Sequence, residues 1–362
     1  MASSRFYALD ALRGLAIALM ILVNTPGSWS HVYSPLLHAA WDGFTFADLV
    51  FPTFLFVVGA SMYFSLSKLQ PGPAAVWRIS ERALKLIALG ILLNYLPFTE
   101  PLAELRLPGV LQRIGLAYWA AALLVVYLPK RALWLTAVGL VLGYWALLVL
   151  GADQPYSLEH NLVRQLDLAL FGAAHIYHGF GMPFDPEGLL STLPCVTAVI
   201  LGYATVLWLK SQSQQAAVKG LSLAGLGLIL LALAWHWLWP INKALWSGSY
   251  LALSTGLILW LLAALIWLVD IKGHHQLASP LTVYGTNPLF IYVLSWVWAV
   301  LFGLVTMQQS TDGAVSAYQW TFLKLASLMP EKLASLVFAL GHVASFWALS
   351  LWLYKRNIII KL

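Results

Sequence analysis

Residues 248–269 read GSYLALSTGLILWLLAALIWLV, a run of 22 residues without a charged side chain. A helix rises 1.5 Å per residue, so about 20 residues are enough to cross the roughly 30 Å of hydrocarbon in a bilayer. The absence of charge means that every side chain in the run can face lipid or another helix. The stretch therefore predicts a transmembrane helix.

Composition indicates that the rest of the chain follows the same pattern. Of the 362 residues, 61% are hydrophobic and only 9% are charged, against about 25% charged in soluble proteins. The 18 Trp and 15 Tyr residues suit helices that end at two membrane interfaces. A soluble domain could not bury so much apolar surface. The single cysteine, Cys195, excludes an internal disulfide and a cysteine zinc site.

We therefore predict an all-α polytopic membrane protein, a bundle of about ten transmembrane helices in one domain over residues 1–362. The first segment carries Asp10 and Arg13, and no small-residue cleavage site follows it, so it is predicted to be a retained helix and not a signal peptide. The predicted segments are 7–25, 47–67, 80–97, 109–128, 132–150, 189–209, 219–239, 248–269, 281–304 and 333–354.

The basic residues predict the orientation of these helices. The formal charge of +6 is spread over short loops, which is typical of a topology signal. Of the 20 Lys and Arg residues, 14 fall on one side of the predicted bundle, including Arg5 and Lys361 in the tails. The positive-inside rule then places both termini in the cytoplasm, in agreement with an even number of helices.

The first outward loop, NTPGSWSHVYSPLLHAAWDGFTFADLVFP, concentrates polar side chains between two apolar helices. Asp48 falls in the first turn of the second helix, where a carboxylate needs a polar partner. His38 is a candidate, because an aspartate can fix the tautomer of an imidazole and raise its basicity. Two simpler interpretations stay open: a solvated loop histidine, and an aspartate that caps the helix.

Other outward segments add polar groups that could line a cavity with this loop. Arg113 enters the fourth helix, and a guanidinium there needs a carboxylate, a carbonyl or an anionic substrate. Negative residues before a helix, such as those of the DPEG segment, are also favourable without any function. The candidate substrate-binding residues are Trp41, Asp185, Glu187, Lys243 and Asn287.

The predicted cytoplasmic face carries a cluster of cations. Asp10 and Arg13 lie one turn apart on the first helix and could pair with each other. Arg13 and its basic neighbours could bind nucleotide phosphates or anionic lipid headgroups. No GxGxxG, Walker lysine loop or HExxH motif occurs, and no metal site is predicted. The other cations of this cluster are Arg78, Arg82, Lys85, Lys130 and Arg131.

Six motifs in chain order resemble the heparan-α-glucosaminide N-acetyltransferase family, most closely its bacterial members. The resemblance spans nearly all of 9–294, and the order of the motifs makes it specific although each is mostly apolar. The motifs are LDALRGLAIALMILVN from Leu9, HAAWDGFTFADLVFPTFLFVVG from His38, LPGVLQRIGLAYW from Leu107, DPEGLLSTLP from Asp185, PINKALW from Pro240 and GTNPLFIYVLS from Gly285.

The resemblance implies a transmembrane acyltransferase of a bacterial inner membrane. Acetyl-CoA would donate its acetyl group from the cytoplasm to the amine of a glucosamine unit on the periplasmic side. It also implies His38 as the catalytic histidine, in HAAWDG, with Asn24 as the motif asparagine and Asp48 beside it. Asp10, Arg13, Arg78, Arg82 and Arg113 are then the candidates for CoA binding. A free or short amino sugar is the expected acceptor, because no polysaccharide-binding domain is evident.

The chemistry leaves two routes open. His38 could act as a general base for direct attack of the amine, which requires only proton transfer, or it could carry the acetyl group transiently. Asn24 could donate a hydrogen bond to the developing oxyanion. The expected partners are acetyl-CoA, the amino sugar and membrane lipid, with no nucleic acid, and a homodimer is compatible with the sequence. The rival hypotheses are a proton-coupled transporter of amino sugars or their oligomers and a non-catalytic membrane scaffold.

Overall fold

The structure, a computed structural model, describes residues 7–309 and 313–360. Arg5 and Lys361, two of the predicted cytoplasmic cations, lie outside these residues. The described part is predominantly helical with very little strand, which confirms the all-α fold class. Its helices are α1 (Tyr7–Asn24), α2 (Val50–Leu66), α3 (Pro73–Tyr95), α4 (Val110–Tyr127), α5 (Lys130–Gly151), α6 (Leu162–Phe171), α7 (Thr192–Leu209), α8 (Gln214–Trp235), α9 (Gly248–Leu265), α10 (His275–Tyr284), α11 (Pro288–Leu304), α12 (Ala317–Ala326) and α13 (Glu331–Lys355).

Two features interrupt the helical pattern. A π-helical segment, Ile266–Ile271, continues α9. A small antiparallel sheet follows α11 and consists of β1 (Thr306–Gln309) and β2 (Gly313–Ser316), with Thr306 opposite Ser316. The ten-residue helix α12 follows this sheet directly.

Eight helices of the described residues are long and apolar enough to cross a membrane, and a bent pair would make nine. All ten predicted segments fall on helices, but two differ from the expected form. α3 has 23 residues and carries four charged side chains, Arg78, Glu81, Arg82 and Lys85, so its composition is less apolar than that of the eight. The predicted span 281–304 corresponds to part of α10 and to α11, which meet at an angle of 63°.

Local sequence explains this bend. Pro288 opens α11, and a proline disfavours helical backbone in the residue before it. Asn287 accordingly adopts φ −129° and ψ 52°, outside the helical region. The break between α10 and α11 therefore lies at Gly285–Asn287, within the GTNP sequence.

The fold divides into two compact units. Unit 1 contains the described residues up to His38, the segment Thr45–Phe51 and the described residues from Leu268 onward. Unit 2 contains Ala39–Phe44 and Pro52–Trp267. The HAAWDG motif is thus shared, because His38 belongs to unit 1 while Trp41 and Asp42 belong to unit 2. The single acyltransferase domain stays a prediction.

Small residues allow close helix packing inside each unit, as is common in membrane bundles. In unit 1, a Cβ atom at Gly14 of α1 would lie only 1.7 Å from the Leu281 carbonyl oxygen of α10. In unit 2, a Cβ at Gly202 of α7 would lie 2.0 Å from the Phe56 carbonyl oxygen of α2. Any larger residue at these two positions would therefore push the helices apart.

Candidate functional site

His38 and Asp48 form a hydrogen-bonded pair in unit 1. His38 Nδ1 lies 2.8 Å from Asp48 Oδ1. The Asp48 side chain is 1% exposed, whereas that of His38 is 46% exposed. A buried carboxylate thus holds one edge of an imidazole whose ring remains accessible. The predicted contact between the two residues is present.

Thr45 holds Asp48 in this position. Its backbone N–H and its hydroxyl each lie 3.0 Å from Asp48 Oδ2. The same hydroxyl lies 2.6 Å from the carbonyl oxygen of Leu37, the residue before His38. Asp48 itself lies in the short 3₁₀ turn Ala47–Leu49 that leads into α2. Its carboxylate therefore points back along the chain to His38, which is more than a helix cap requires.

The ionised form of Asp48 determines which tautomer of His38 can form this hydrogen bond. An ionised carboxylate only accepts hydrogen bonds, so Nδ1 of His38 must donate to Asp48. In the neutral imidazole the lone pair is then on Nε2. This is the arrangement in which an aspartate orients a histidine for proton abstraction.

Asn24 and His31 lie at the same end of unit 1 as the loop that carries His38. Asn24 is the last residue of α1 and is exposed. Leu22 and Pro26, on either side of Asn24, share one small, mainly apolar pocket with Leu36, two residues before His38.

His31 is held by different contacts. Its Nε2 lies 2.7 Å from Glu331 Oε2, and its ring stacks on Phe322. Ser28 Oγ lies 3.3 Å from its Nδ1. His31 therefore joins the loop to α12 and α13, unlike His38.

The opposite end of α1 carries the predicted pair of Asp10 and Arg13. Arg13 Nη2 donates to Asp10 Oδ1 at 2.8 Å. Arg13 and Asn24 are 11 positions apart, which is about 16 Å along a helix. The two candidate sites on α1 would therefore lie about half of the roughly 30 Å hydrocarbon thickness apart.

Asn287 corrects one expectation. A Cβ atom at Gly285 would lie 2.6 Å from the Asp10 carbonyl oxygen, so the GTNP break packs against the Asp10 end of α1. The Asn287 side chain binds the backbone of Ile358 and Ile360 in the C-terminal tail. It therefore does not share a cavity with His38. A single sequence showed that this amide was polar but not which end of the bundle it occupies.

Arg78 and Arg82 lie on α3 in unit 2 and are both exposed. The Arg82 guanidinium lies over the Tyr118 ring of α4, 4.9 Å from its centre. Arg78 and Arg82 are four positions apart, so they occupy one face of the helix.

An ion-pair cluster of unit 2 joins the DPEG segment to the loop before α4. Arg106 donates to Asp185 through Nε (2.9 Å) and Nη2 (2.8 Å), and Nη2 also contacts Glu187 Oε2. The Asp185 side chain is fully buried and also accepts hydrogen bonds from the backbone N–H groups of Tyr177 and Glu187. Burial alone would lower the pKa of Arg106, but its bond to Asp185 and the charges of Glu187 and Asp185 raise it.

Arg113 adds a buried cation beside this cluster. It is 1% exposed, and its Nη2 donates to the Gly188 carbonyl oxygen at 2.9 Å and to Ser191 Oγ. Among the described residues, its Nε and Nη1 have no hydrogen-bond partner. Its guanidinium faces the Trp246 ring at 5.5 Å. Its contacts therefore place it with the DPEG segment, and its predicted role toward CoA stays a prediction.

Asp167 of α6 interacts electrostatically with Arg113. It is fully buried, and its Oδ1 accepts from the Leu189 N–H at 3.0 Å. The pKa of its carboxyl is raised to about 6, and burial is the largest cause. The Leu189 hydrogen bond and the Arg113 charge act against this rise, whereas the Asp185 charge adds to it. A Cβ atom at Gly188 would lie 2.0 Å from Asp167 Oδ2, so a larger residue there would displace this carboxylate.

The remaining candidates of unit 2 lie around the loop 240–247. Trp41 donates its indole N–H to the Tyr156 carbonyl oxygen at 2.8 Å, and its ring packs edge-on against Phe184. Asp42 Oδ1 accepts from Asn242 Nδ2 at 3.1 Å. Lys243 is partly exposed next to Asn242. Asn242 is 1% exposed and organises this loop.

Sequence reasoning missed Arg106, Thr45, Asn242 and Asp167. Arg106 had one usable signal: the two carboxylates of DPEG require a cation, and only three arginines are predicted to face outward. Thr45 and Asn242 carry no charge and act through backbone contacts that only the folded loops create. Asp167 was overlooked because α6 is too short for a span.

The fold defines the chain as a multi-pass, all-α membrane protein with a histidine–aspartate pair at the start of α2. The model of the family described as heparan-alpha-glucosaminide N-acetyltransferase, catalytic, matches residues 5–239, so the chain belongs to that family. Two curated relatives, the human and mouse heparan-alpha-glucosaminide N-acetyltransferases, are each 28% identical to it over 80% of its length. The chain spans about half the length of these relatives, 52% of the human and 53% of the mouse protein.

Proposed function

We propose that this protein transfers an acetyl group from acetyl-CoA to the amine of a glucosamine-type sugar. The observation that carries the proposal is the His38–Asp48 pair, an accessible imidazole oriented by a buried carboxylate. Family membership supports it, since the curated relatives are named as N-acetyltransferases. The acceptor is a free or short amino sugar at the periplasmic side of a bacterial inner membrane, and the donor comes from the cytoplasm.

The reaction requires an uncharged amine. His38 Nε2 takes a proton from the sugar amine as the amine nitrogen attacks the thioester carbonyl carbon. The new C–N bond replaces the C–S bond. The CoA thiolate leaves and accepts a proton, for which the His38 imidazolium is a suitable donor. A general base of this kind contributes about 10²–10⁴ in rate. Asp48 stabilises the imidazolium while it exists.

Asn24 is proposed as the hydrogen-bond donor to the oxyanion of the tetrahedral intermediate. Replacing it with alanine is expected to lower kcat by roughly 10²–10³, which is the usual cost of losing one such donor. Because Asn24 is exposed at the end of α1, the fold should tolerate the change. The measurement is steady-state acetyl transfer. A change in the acetyl-CoA KM alone, with kcat intact, would contradict the role.

The direct test of the function uses purified protein, radiolabelled acetyl-CoA and a panel of amino sugars. We expect labelled product with glucosamine and its short oligomers. N-acetylglucosamine is the matched control, because its amine is already acylated. Mixing the enzyme with acetyl-CoA in the absence of acceptor distinguishes the two routes: a burst of about one equivalent of free CoA per protein indicates an acetyl-histidine intermediate, and its absence supports direct transfer, which we favour.

Charge at the cytoplasmic cations is expected to govern donor affinity. Replacing Arg13, Arg78 or Arg82 with glutamine, one at a time, should weaken acetyl-CoA binding by about 1–3 kcal/mol where the residue bonds a phosphate. Calorimetry on detergent-purified protein measures this. Lys324→Gln, on α12, is the control. An arginine that contacts only lipid headgroups would behave like this control, and a wild-type protein that binds no acetyl-CoA would contradict the acyltransferase proposal.

Sidedness is a separate prediction. Cysteines introduced at Ser34 and at Lys130, with Cys195 replaced by serine, should react with an impermeant maleimide from opposite sides of the membrane. The reason is the excess of basic residues on the predicted cytoplasmic side. Labelling of both from the periplasmic side would overturn the topology and the transmembrane character of the transfer.

One observation favours the transporter as a second candidate. Broken helices, such as α10 and α11 with their 63° bend, often form the binding sites of transporters. A transporter would move labelled glucosamine into proteoliposomes without acetyl-CoA. We expect no such movement.

A further inference from the structure

Asn287 does not cap the helix that it precedes. An asparagine at the N-cap usually accepts a hydrogen bond from the first turn, but this side chain makes none there. Its Nδ2 instead donates to the Ile358 carbonyl oxygen at 3.0 Å, and its Oδ1 accepts from the Ile360 N–H at 2.7 Å. Asn287 is 1% exposed. A buried amide thus uses both of its functions to hold the C-terminal tail, an arrangement we call the tail clasp.

The tail reaches the clasp by a defined turn. The Arg356 N–H donates to the Trp352 carbonyl oxygen at 3.1 Å and ends α13. Asn357 has φ +55°, in the left-handed region, and the Ile358 N–H donates back to Leu353 at 3.0 Å. Lys355 and Arg356 therefore lie between the end of α13 and the backbone held by Asn287, which fixes the positions of their Cα atoms.

The tail clasp belongs to the Arg13 end of unit 1. Gly285, two residues before Asn287, packs so closely on α1 that a Cβ atom would lie 3.5 Å from Arg13 Nε. Asp270 accepts a hydrogen bond from the backbone of Ala8 and lies at the same end. Cations exceed carboxylates here among the described residues. The cations are Arg13, Lys272, Lys355 and Arg356, and the carboxylates are Asp10 and Asp270.

We propose that Lys355 and Arg356, positioned by the tail clasp, bind the phosphates of the nucleotide half of acetyl-CoA. The inference rests on the proposed function. Lipid headgroups also carry phosphates that these two residues could bind. A lysine or arginine reaches a headgroup through its own flexible side chain, however, so lipid binding does not require a fixed backbone. A buried amide that immobilises the tail is explained by a ligand whose phosphates occupy fixed positions.

The test compares two donors, acetyl-CoA and acetyl-pantetheine, which lacks the nucleotide. Assays in phosphatidylcholine vesicles remove anionic lipid headgroups. Arg356→Gln and Lys355→Gln should each raise the KM for acetyl-CoA about tenfold or more, the usual scale of a charge-assisted hydrogen bond, and leave that for acetyl-pantetheine unchanged. Asn287→Ala, a positioning change, should give the same split between donors with a smaller rise.

Lys332→Gln is the matched control, because it removes a lysine charge from the first turn of the same helix, α13. Its KM values should equal those of the wild type. An equal rise for both donors in the Arg356 and Lys355 variants would show a structural role and overturn the inference, as would no rise for either. Wild-type turnover tests the proposed function separately. If the wild-type protein transfers no acetyl group, the acyltransferase proposal is wrong. If it turns over normally and the KM values of the variants are unchanged, only the proposed phosphate site in the tail is wrong.

Discussion

Replacing His38 with alanine is expected to abolish acetyl transfer and leave a folded protein. Loss of a general base costs about 10²–10⁴ in rate, and loss of an acetyl carrier costs at least as much. The side chain is 46% exposed, so its truncation removes little packing. The measurement is kcat at saturating donor and acceptor, with size-exclusion elution as the check on folding.

His31→Ala is the matched control for this change. His31 lies seven positions earlier in the same loop, and its contacts are with Glu331 and Phe322. We expect it to retain most of the activity and to lose some stability, since it ties the loop to α13. An equal loss of kcat in both variants would mean that the loop, and not one imidazole, is required.

Asp48→Asn separates orientation from proton transfer. The change keeps the size of a side chain that is 1% exposed and removes its charge. In the serine-protease triad the same change costs about 10⁴, because the histidine adopts the wrong tautomer. A loss of kcat of about 10² or more, with KM values retained, is expected here by the same reasoning. Full activity in Asp48→Asn would contradict the paired role.

Replacing Arg106 with glutamine is expected to give the largest loss of stability. The guanidinium neutralises the fully buried Asp185 and the mostly buried Glu187. Breaking a buried pair costs about 3–5 kcal/mol, because the remaining charge is left without compensation. Arg106 is 27% exposed, so we expect a value near the lower end, about 3 kcal/mol. The measurement is the free energy of unfolding in mixed micelles titrated with SDS.

Arg164→Gln is the matched control for Arg106. Arg164 belongs to the same unit, and its guanidinium donates to the backbone carbonyl oxygens of Pro183 and Glu159. Its loss leaves no buried carboxylate without a cation, so the free energy of unfolding should fall by only about 1 kcal/mol. Equal losses in the two variants would mean that Asp185 does not depend on Arg106.

Hydrophobic runs predicted the helices correctly because a bilayer imposes a minimum length and a low charge on anything that spans it. The same rule did not predict two deviations. α3 carries four charged residues and falls short of the apolar composition of the other spans. The segment 281–304 was predicted as one continuous helix, whereas the structure bends it by 63° before Pro288.

The candidate site was partly predictable for a similar reason. Asp48 and His38 were matched because a carboxylate at a helix entrance needs a partner and a histidine was near in the chain. Asp185 and Glu187 form ion pairs with Arg106, which lies 79 and 81 positions away in the chain. No local pattern indicates which of the three arginines predicted to face outward pairs with these carboxylates.

The sequence by itself determined the membrane class, the helix positions, the family and the His38–Asp48 pair. All of these depend on local composition or on residues close in the chain. Only the tertiary structure decided that Asn287 binds the tail at the Arg13 end of α1, and that Arg106 holds the DPEG carboxylates. The physical reason is that a buried polar group must be satisfied, but any donor or acceptor brought near by folding can satisfy it.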